Sequence, residues 1–209
     1  MIKILIVDSH PIVRTGIDLL FKTNVDIEVV GGIASGIEIF EFVRRHQVDV
    51  IISEIDLPEL NGITALRAIK KEHSAVKVIM FSHQPEEIYA ISTIKAGASG
   101  YVHKSSSVEV IKEAIKTAYG GGIYLSHDME KHMKFHDTKN VKSKMFKKLS
   151  TREVEVLRLL SIGKKNKEIA EELDINEKTV STYKARLFKK LNVTNLVDLI
   201  HQAKHNELT

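Results

Sequence analysis

The chain has 209 residues, 43% hydrophobic and 28% charged, with no Cys, no Trp and three Pro. That length admits one large domain or two small ones, and the composition excludes a disordered or Pro-rich protein. Without Cys there are no disulfides and no thiolate metal sites, so a reducing cytoplasm is the expected location. The opening Met1–Asp8 is too short and too soon charged for a signal peptide. No apolar run reaches the roughly 20 residues of a membrane helix, and no membrane partner is expected. The net charge of +4 is unevenly placed: residues 1–125 carry 13 Lys+Arg against 15 Asp+Glu, and residues 126–209 carry 18 against 12. The back part alone is therefore suited to a polyanion, a solvated Lys-rich surface being the alternative.

In chain order, Ile2–Val7 reads as a buried strand. A helix follows from about Pro11, with Ile12, Val13, Ile17, Leu20 and Phe21 on one face. Ile27–Val30, Val48–Ser53, Val76–Ser82 and Gly100–Val102 are further strands, alternating with helices near Gly36–Val43, Ile63–Lys71 and Pro85–Ala96. Val108, Ile111, Ile115 and Ala118 close the pattern as a fifth helix, which Gly120–Gly122 end. Five βα units with continuously apolar strands predict a (βα)5 doubly wound parallel sheet. Function in such a sheet sits at the carboxyl ends of the strands, here Asp8-Ser9, Ser53-Glu54, Ser82 and Lys104.

The expected division is a domain over 1–122, a linker over 123–147 and a small four-helix domain over 148–209. The linker's His127, His132 and His136 have no second ligand cluster and are read as solvated. Ser150-Thr151-Arg152-Glu153 fits a capping box, Gly163 stops that helix, and Asn166, Asn176 and Thr194 are placed to cap the next three. Helix 167–173, the turn Asp174-Ile175-Asn176 and helix 177–191 have helix-turn-helix proportions. Val180, Leu187 and Leu191 face the core. The candidate DNA surface consists of Lys178, Thr179, Ser181, Thr182, Tyr183, Lys184, Ala185, Arg186 and Lys189. Short hydroxyl residues near the start of the helix would reach base edges, and Lys and Arg would meet phosphates.

The segments Leu149–Leu157, Asn166–Ala170 and Lys178–Lys184 strongly resemble the LuxR-type helix-turn-helix. The whole chain resembles a NarL/FixJ-family response regulator of the BvgA and EvgA branch. That resemblance implies a CheY-like receiver fold, a recognition helix at 177–191 and a helix at 195–205 that helps dimerise the DNA-bound form. It implies promoter DNA, a second copy of the chain and a sensor histidine kinase as partners. In such receivers an Asp after the third strand carries the phosphoryl group, an acidic pair after the first strand holds Mg²⁺, and a Ser/Thr and a Lys end the fourth and fifth strands. Asp8, Ser82 and Lys104 match this pattern, but Ser9 stands where the second acid belongs and Glu54 where the phosphoacceptor belongs.

Asp8 and Asp56 are the candidate Mg²⁺ ligands, in a cage weakened by the loss of a carboxylate at Ser9. Glu54 sets its carboxylate one carbon farther out, roughly 1.5 Å, where in-line phosphoryl transfer depends on position. An atypical receiver is therefore expected, not switched by ordinary Asp phosphorylation and requiring no cofactor. In it, Glu54 pairs with Lys104 and partly mimics a phosphoryl charge. The alternatives are a tolerated replacement in a domain kept for dimerisation, a regulator still phosphorylated by a partner kinase, and a pseudo-receiver interaction module. An enzyme is not expected: Asp8-Ser9-His10-Pro11 is no Gly-rich phosphate cradle, and Ser9-His10 lacks an orienting third group.

Overall fold

The computed structural model describes residues 1–129 and 149–205. Most of the expected linker, with His132 and His136, lies outside the described residues. The elements are β1 (Ile2–Val7), α1 (Pro11–Phe21), β2 (Ile27–Ile33), α2 (Glu38–Arg45), β3 (Val50–Ser53), α3 (Gly62–Glu72), β4 (Lys77–Ser82), α4 (Glu86–Lys95), β5 (Gly100–His103) and α5 (Val108–Tyr119). After the linker come α6 (Thr151–Ser161), α7 (Asn166–Glu172), α8 (Glu177–Leu191) and α9 (Leu196–His205). The chain divides into two compact units, Met1–His83 with Ala96–His127 and Gln84–Lys95 with Asp128–Thr209.

The first unit holds a five-stranded parallel sheet in the order β2-β1-β3-β4-β5. Its strands are apolar apart from charges near their starts, Lys3, Glu28 and Lys77, because helices cover both faces: Ile4, Leu5, Ile6, Val50 and Ile51 are all buried. The strand order reverses between β1 and β3, which opens a crevice at their carboxyl ends. Asp8 and Glu54 sit at that crevice.

Two details depart from the sequence expectation. Ile17 and Phe21 anchor α1 to the sheet, but Ile12 is 76% exposed. Ile12 and Ile17 are five residues apart, which carries Ile12 off the apolar stripe of a 3.6-residue helix. Past the three glycines, Tyr124 forms a parallel bridge with Gly100 and Leu125 is buried. The Tyr101 N–H donates to the Tyr124 carbonyl at 3.1 Å, and the Tyr124 N–H donates to Ser99 at 3.0 Å. The first residues of the expected 123–147 linker thus cover part of the β5 edge; so short a pairing gives no periodic signal.

In the second unit, Leu157, Ile169, Val180, Leu187, Leu191 and Leu199 form the helical core. The Ser150–Glu153 capping box is present, and Gly163 ends α6 at a φ of 86°. Asn176 caps α8, accepting from the Thr179 N–H at 2.8 Å. The other two expected caps move. α7 starts one residue earlier, with the Glu168 carboxylate accepting from the Lys165 N–H at 2.7 Å. That frees the Asn166 side chain, which donates to Ser181 on α8 at 3.2 Å. Asn195 rather than Thr194 caps α9, its side-chain oxygen accepting from the Asp198 N–H at 2.9 Å.

Glu153 also ties α6 to the end of α8, accepting from Lys190 at 2.7 Å. Burial by itself pushes the Glu153 carboxyl up, but Lys190 and the Ser150 bonds outweigh it and hold it below the ordinary value.

Candidate functional site

The candidate receiver pocket is assembled by backbone bonds that continue the sheet past the strand ends. The Asp8 N–H donates to the Ile33 carbonyl at 3.1 Å, the Glu54 N–H to Val7 at 2.9 Å and the Lys104 N–H to Ser82 at 2.8 Å. These bonds set Asp8, Glu54, Ser82 and Lys104 side by side at the crevice. Gly62, at the start of α3, closes the site from below: a Cβ there would stand 2.0 Å from the Glu54 carbonyl oxygen. Only glycine lets that helix approach so closely.

Glu54 is 1% exposed and both of its carboxylate oxygens are engaged. Oε1 accepts from the Ile55 N–H at 2.5 Å and the Asp56 N–H at 3.3 Å, and also from the Ser82 hydroxyl. Oε2 pairs with the Lys104 ammonium at 2.6 Å. Lys104 also pairs with Asp8 Oδ2 at 2.6 Å, so one cation bridges two buried carboxylates. The other Asp8 oxygen accepts from the His10 N–H at 2.9 Å and meets His10 Nδ1 at 2.9 Å. Every group that the sequence placed in the pocket is brought together except Ser9, whose hydroxyl lies 3.4 Å from His10 Nδ1.

Burial alone would push the Lys104 ammonium down, but its bonds to Asp8 and Glu54 outweigh it and raise it above the ordinary 10.5. A cation whose folded value is raised contributes stability that is fully present below the unfolded value. That contribution fades only as pH rises through the raised folded value, so it is intact at neutral pH.

His83 was not singled out by sequence reasoning; its only signal is its place beside Ser82. Its Nδ1 lies 3.6 Å from Glu54 Oε2 and its Nε2 lies 4.0 Å from Asp56 Oδ2. One ligand atom each from Glu54, Asp56 and His83 fall within 4.8 Å of one another. Mg²⁺ prefers an octahedral shell of hard oxygens with one or two free carboxylates. Here Asp8 and Glu54 are both committed to Lys104, Ser9 offers no carboxylate, and an imidazole stands beside Asp56. These residues fit Mg²⁺ poorly.

The candidate nucleic-acid surface lies on α8. Val180, Leu187 and Leu191 are buried, while Lys178, Ser181, Thr182, Ala185, Arg186 and Lys189 are exposed. Helical periodicity sets Lys178, Thr182, Ala185 and Lys189 directly opposite the core. Three of the nine candidate residues are placed differently from expectation. Thr179 is spent on the cap, its hydroxyl bonding Asn176 at 2.9 Å. Tyr183 and Lys184 are half-buried on the flanks, with Lys184 Nζ 5.9 Å from the Phe188 ring centre and Arg186 set 5.8 Å from that of Tyr183.

Two family descriptions match the chain: the response regulator receiver domain over residues 4–116, and bacterial regulatory proteins of the luxR family over residues 147–203. The response regulator UvrY of Escherichia coli strain K12 is 33% identical over 204 residues, 97% of this chain and 94% of its own length. BvgA of Bordetella pertussis is 33% identical over 206 residues, 99% of this chain and 98% of its own. RcsB of Salmonella enterica serovar Typhimurium, solved bound to promoter P1flhDC in the presence of the phosphomimetic BeF3−, matches with a TM-score of 0.79 at 25% identity. That match covers 96% of this chain and 97% of RcsB. Among the described residues no helix is long and apolar enough to cross a membrane.

Proposed function

Since the chain belongs to the response-regulator family, with a luxR-family domain behind its receiver, we propose that it is a promoter-binding transcription regulator whose receiver works without aspartyl phosphorylation. In this reading residues 1–122 are the receiver, 123–147 the linker and 148–209 the DNA-binding domain. The protein acts in the cytoplasm as a homodimer, and neither domain runs a catalytic step.

One observation carries the receiver reading: the buried Glu54 carboxylate already holds both the Ser82 hydroxyl and the Lys104 ammonium. By the family pattern, those are the groups that gather around a phosphoryl group after transfer. Oε1 is shared among three donors and Lys104 stands 2.6 Å from Oε2, so these ground-state bonds compete with any in-line attack by Glu54. Its single charge stands in part for a phosphoryl group's −1.5 to −2, favouring an active-like receiver with no sensor histidine kinase in control.

Incubation of the full chain with acetyl phosphate and Mg²⁺, followed by intact mass measurement, tests this. The expected result is no stoichiometric phosphate, with DNA binding already present in the untreated protein. Stoichiometric acid-labile phosphate on Glu54 or Asp56 would overturn the reading.

The DNA-binding reading is supported by the exposed cations on the outer face of α8 and by the +6 balance of residues 126–209. Lys178→Ala and Lys189→Ala are each expected to weaken all duplexes about equally. Each should lower the slope of log K against log salt by roughly 1, read by fluorescence anisotropy. Lys184→Ala should change that slope less, because its side chain lies along Phe188. Affinity independent of salt would favour a protein-interaction module.

A further inference from the structure

The geometry points to Thr182 and Ala185 as an apolar reader of thymine methyl groups, an inference that rests on α8 being the recognition helix. Both residues are exposed and lie one turn apart on the side of α8 opposite its buried Val180, Leu187 and Leu191. Sequence reasoning gave Thr182 a hydroxyl role at a base edge. In the structure that hydroxyl turns back and donates to the Lys178 carbonyl at 3.0 Å. This is the local bond that Thr makes to the preceding helical turn, and it spends the only proton the hydroxyl has to donate. The Cγ2 methyl is then the branch of Thr182 left unbonded, and Ala185 adds a second methyl beside it.

The neighbours of this pair have other tasks. Ser181 accepts from Asn166 at 3.2 Å and so keeps its own proton to donate to a base or a phosphate. Lys178 and Lys189 flank the pair at the two ends of the same stripe, one turn beyond each methyl. The result is a cation–methyl–methyl–cation order along the outer face. No Arg or Lys stands at its centre, so the bidentate contact that reads guanine is missing there. In the major groove the apolar group that marks one base is the thymine C5 methyl, and Ala and the Thr methyl are its fitting partners. The helix therefore selects thymine at the step facing Thr182 and Ala185, with the Lys residues fixing the register on phosphates.

The test uses the full-length chain. Preferred duplexes are selected from a random pool, and each thymine of the selected site is then replaced by deoxyuridine, which differs only in lacking the methyl. In the wild type, one or two positions per half-site should lose about three- to fivefold in affinity on this change, the range expected for one buried methyl. Thr182→Val keeps the methyl without the hydroxyl and should retain that penalty. Thr182→Ser keeps the hydroxyl without the methyl and should bind thymine and deoxyuridine alike at one of those positions. A wild type indifferent to every deoxyuridine, or a Thr182→Ser variant that keeps the full penalty, overturns the proposal while leaving α8 as the recognition helix. A pool that yields no preferred sequence overturns the recognition-helix reading itself, and the two failures are thereby told apart.

Discussion

Lys104→Met should destabilise the protein by roughly 3–5 kcal/mol, the usual cost of stranding buried charge by removing its partner. Met fills nearly the same volume, so the loss is electrostatic rather than a cavity. Asp8 and Glu54 are 2% and 1% exposed, and Lys104 is the cation that both touch, at 2.6 Å each. Without it two carboxylates face each other in a site that water scarcely reaches. A thermal melt of the full chain should show the receiver transition falling by on the order of 10 °C. Adding Glu54→Gln to Lys104→Met should recover part of the loss, because one unpaired charge then remains instead of two. A melting temperature within a degree or two of the wild type would mean that the bridging pair is not formed in solution.

Glu54→Gln should separate folding from switching. The amide keeps the size of the side chain and can still accept from Ser82 and the Ile55 N–H, while Lys104 keeps Asp8. The amide NH2 that replaces Oε2 cannot accept from Lys104, so stability should fall by roughly 1.5–3 kcal/mol, the worth of one charge-assisted bond, less than in Lys104→Met. What is lost is the negative charge that pairs with Lys104 at 2.6 Å. If that charge biases the receiver towards dimerisation, affinity for a promoter duplex should fall about tenfold, inside the 5- to 150-fold span of typical couplings between sites. Sedimentation of the free protein should show a matching weakening of the dimer. Glu54→Asp shortens the reach by roughly 1.5 Å and restores the residue that the family pattern places there. With Ser9→Asp added to return the second acid of the pair, DNA binding by that variant should become dependent on acetyl phosphate. A Glu54→Gln protein that binds as tightly as the wild type would reduce Glu54 to a tolerated replacement.

Much of this molecule is legible in its sequence where the signal is local. Pro11 at a helix start, the Ser150–Glu153 capping box and Asn176 before α8 are bonds made within a few residues, and sequence spacing specifies them. Strand alternation with amphipathic helices fixed the parallel sheet, because only strands covered on both faces stay apolar along their length. The strand ends then pointed to Asp8, Glu54, Ser82 and Lys104. Expectations that depend on one residue of register are less secure. Asn166 and Thr194 both resemble caps by composition, and the neighbouring positions capped instead. Ile12 was apolar and near the stripe, yet it faces outward.

The sequence by itself determined the order of elements and the chemistry present at each strand end, Glu54 included. It could not decide where those side chains reach. Whether Glu54 bonds Ser82 and Lys104, whether His83 turns towards Glu54 and Asp56, and which way the Thr182 hydroxyl points are contacts between groups far apart in the chain or choices among rotamers. Local propensity is nearly blind to both. The three-dimensional packing decides them, because a buried charge or hydroxyl must take whichever partner the fold puts within reach.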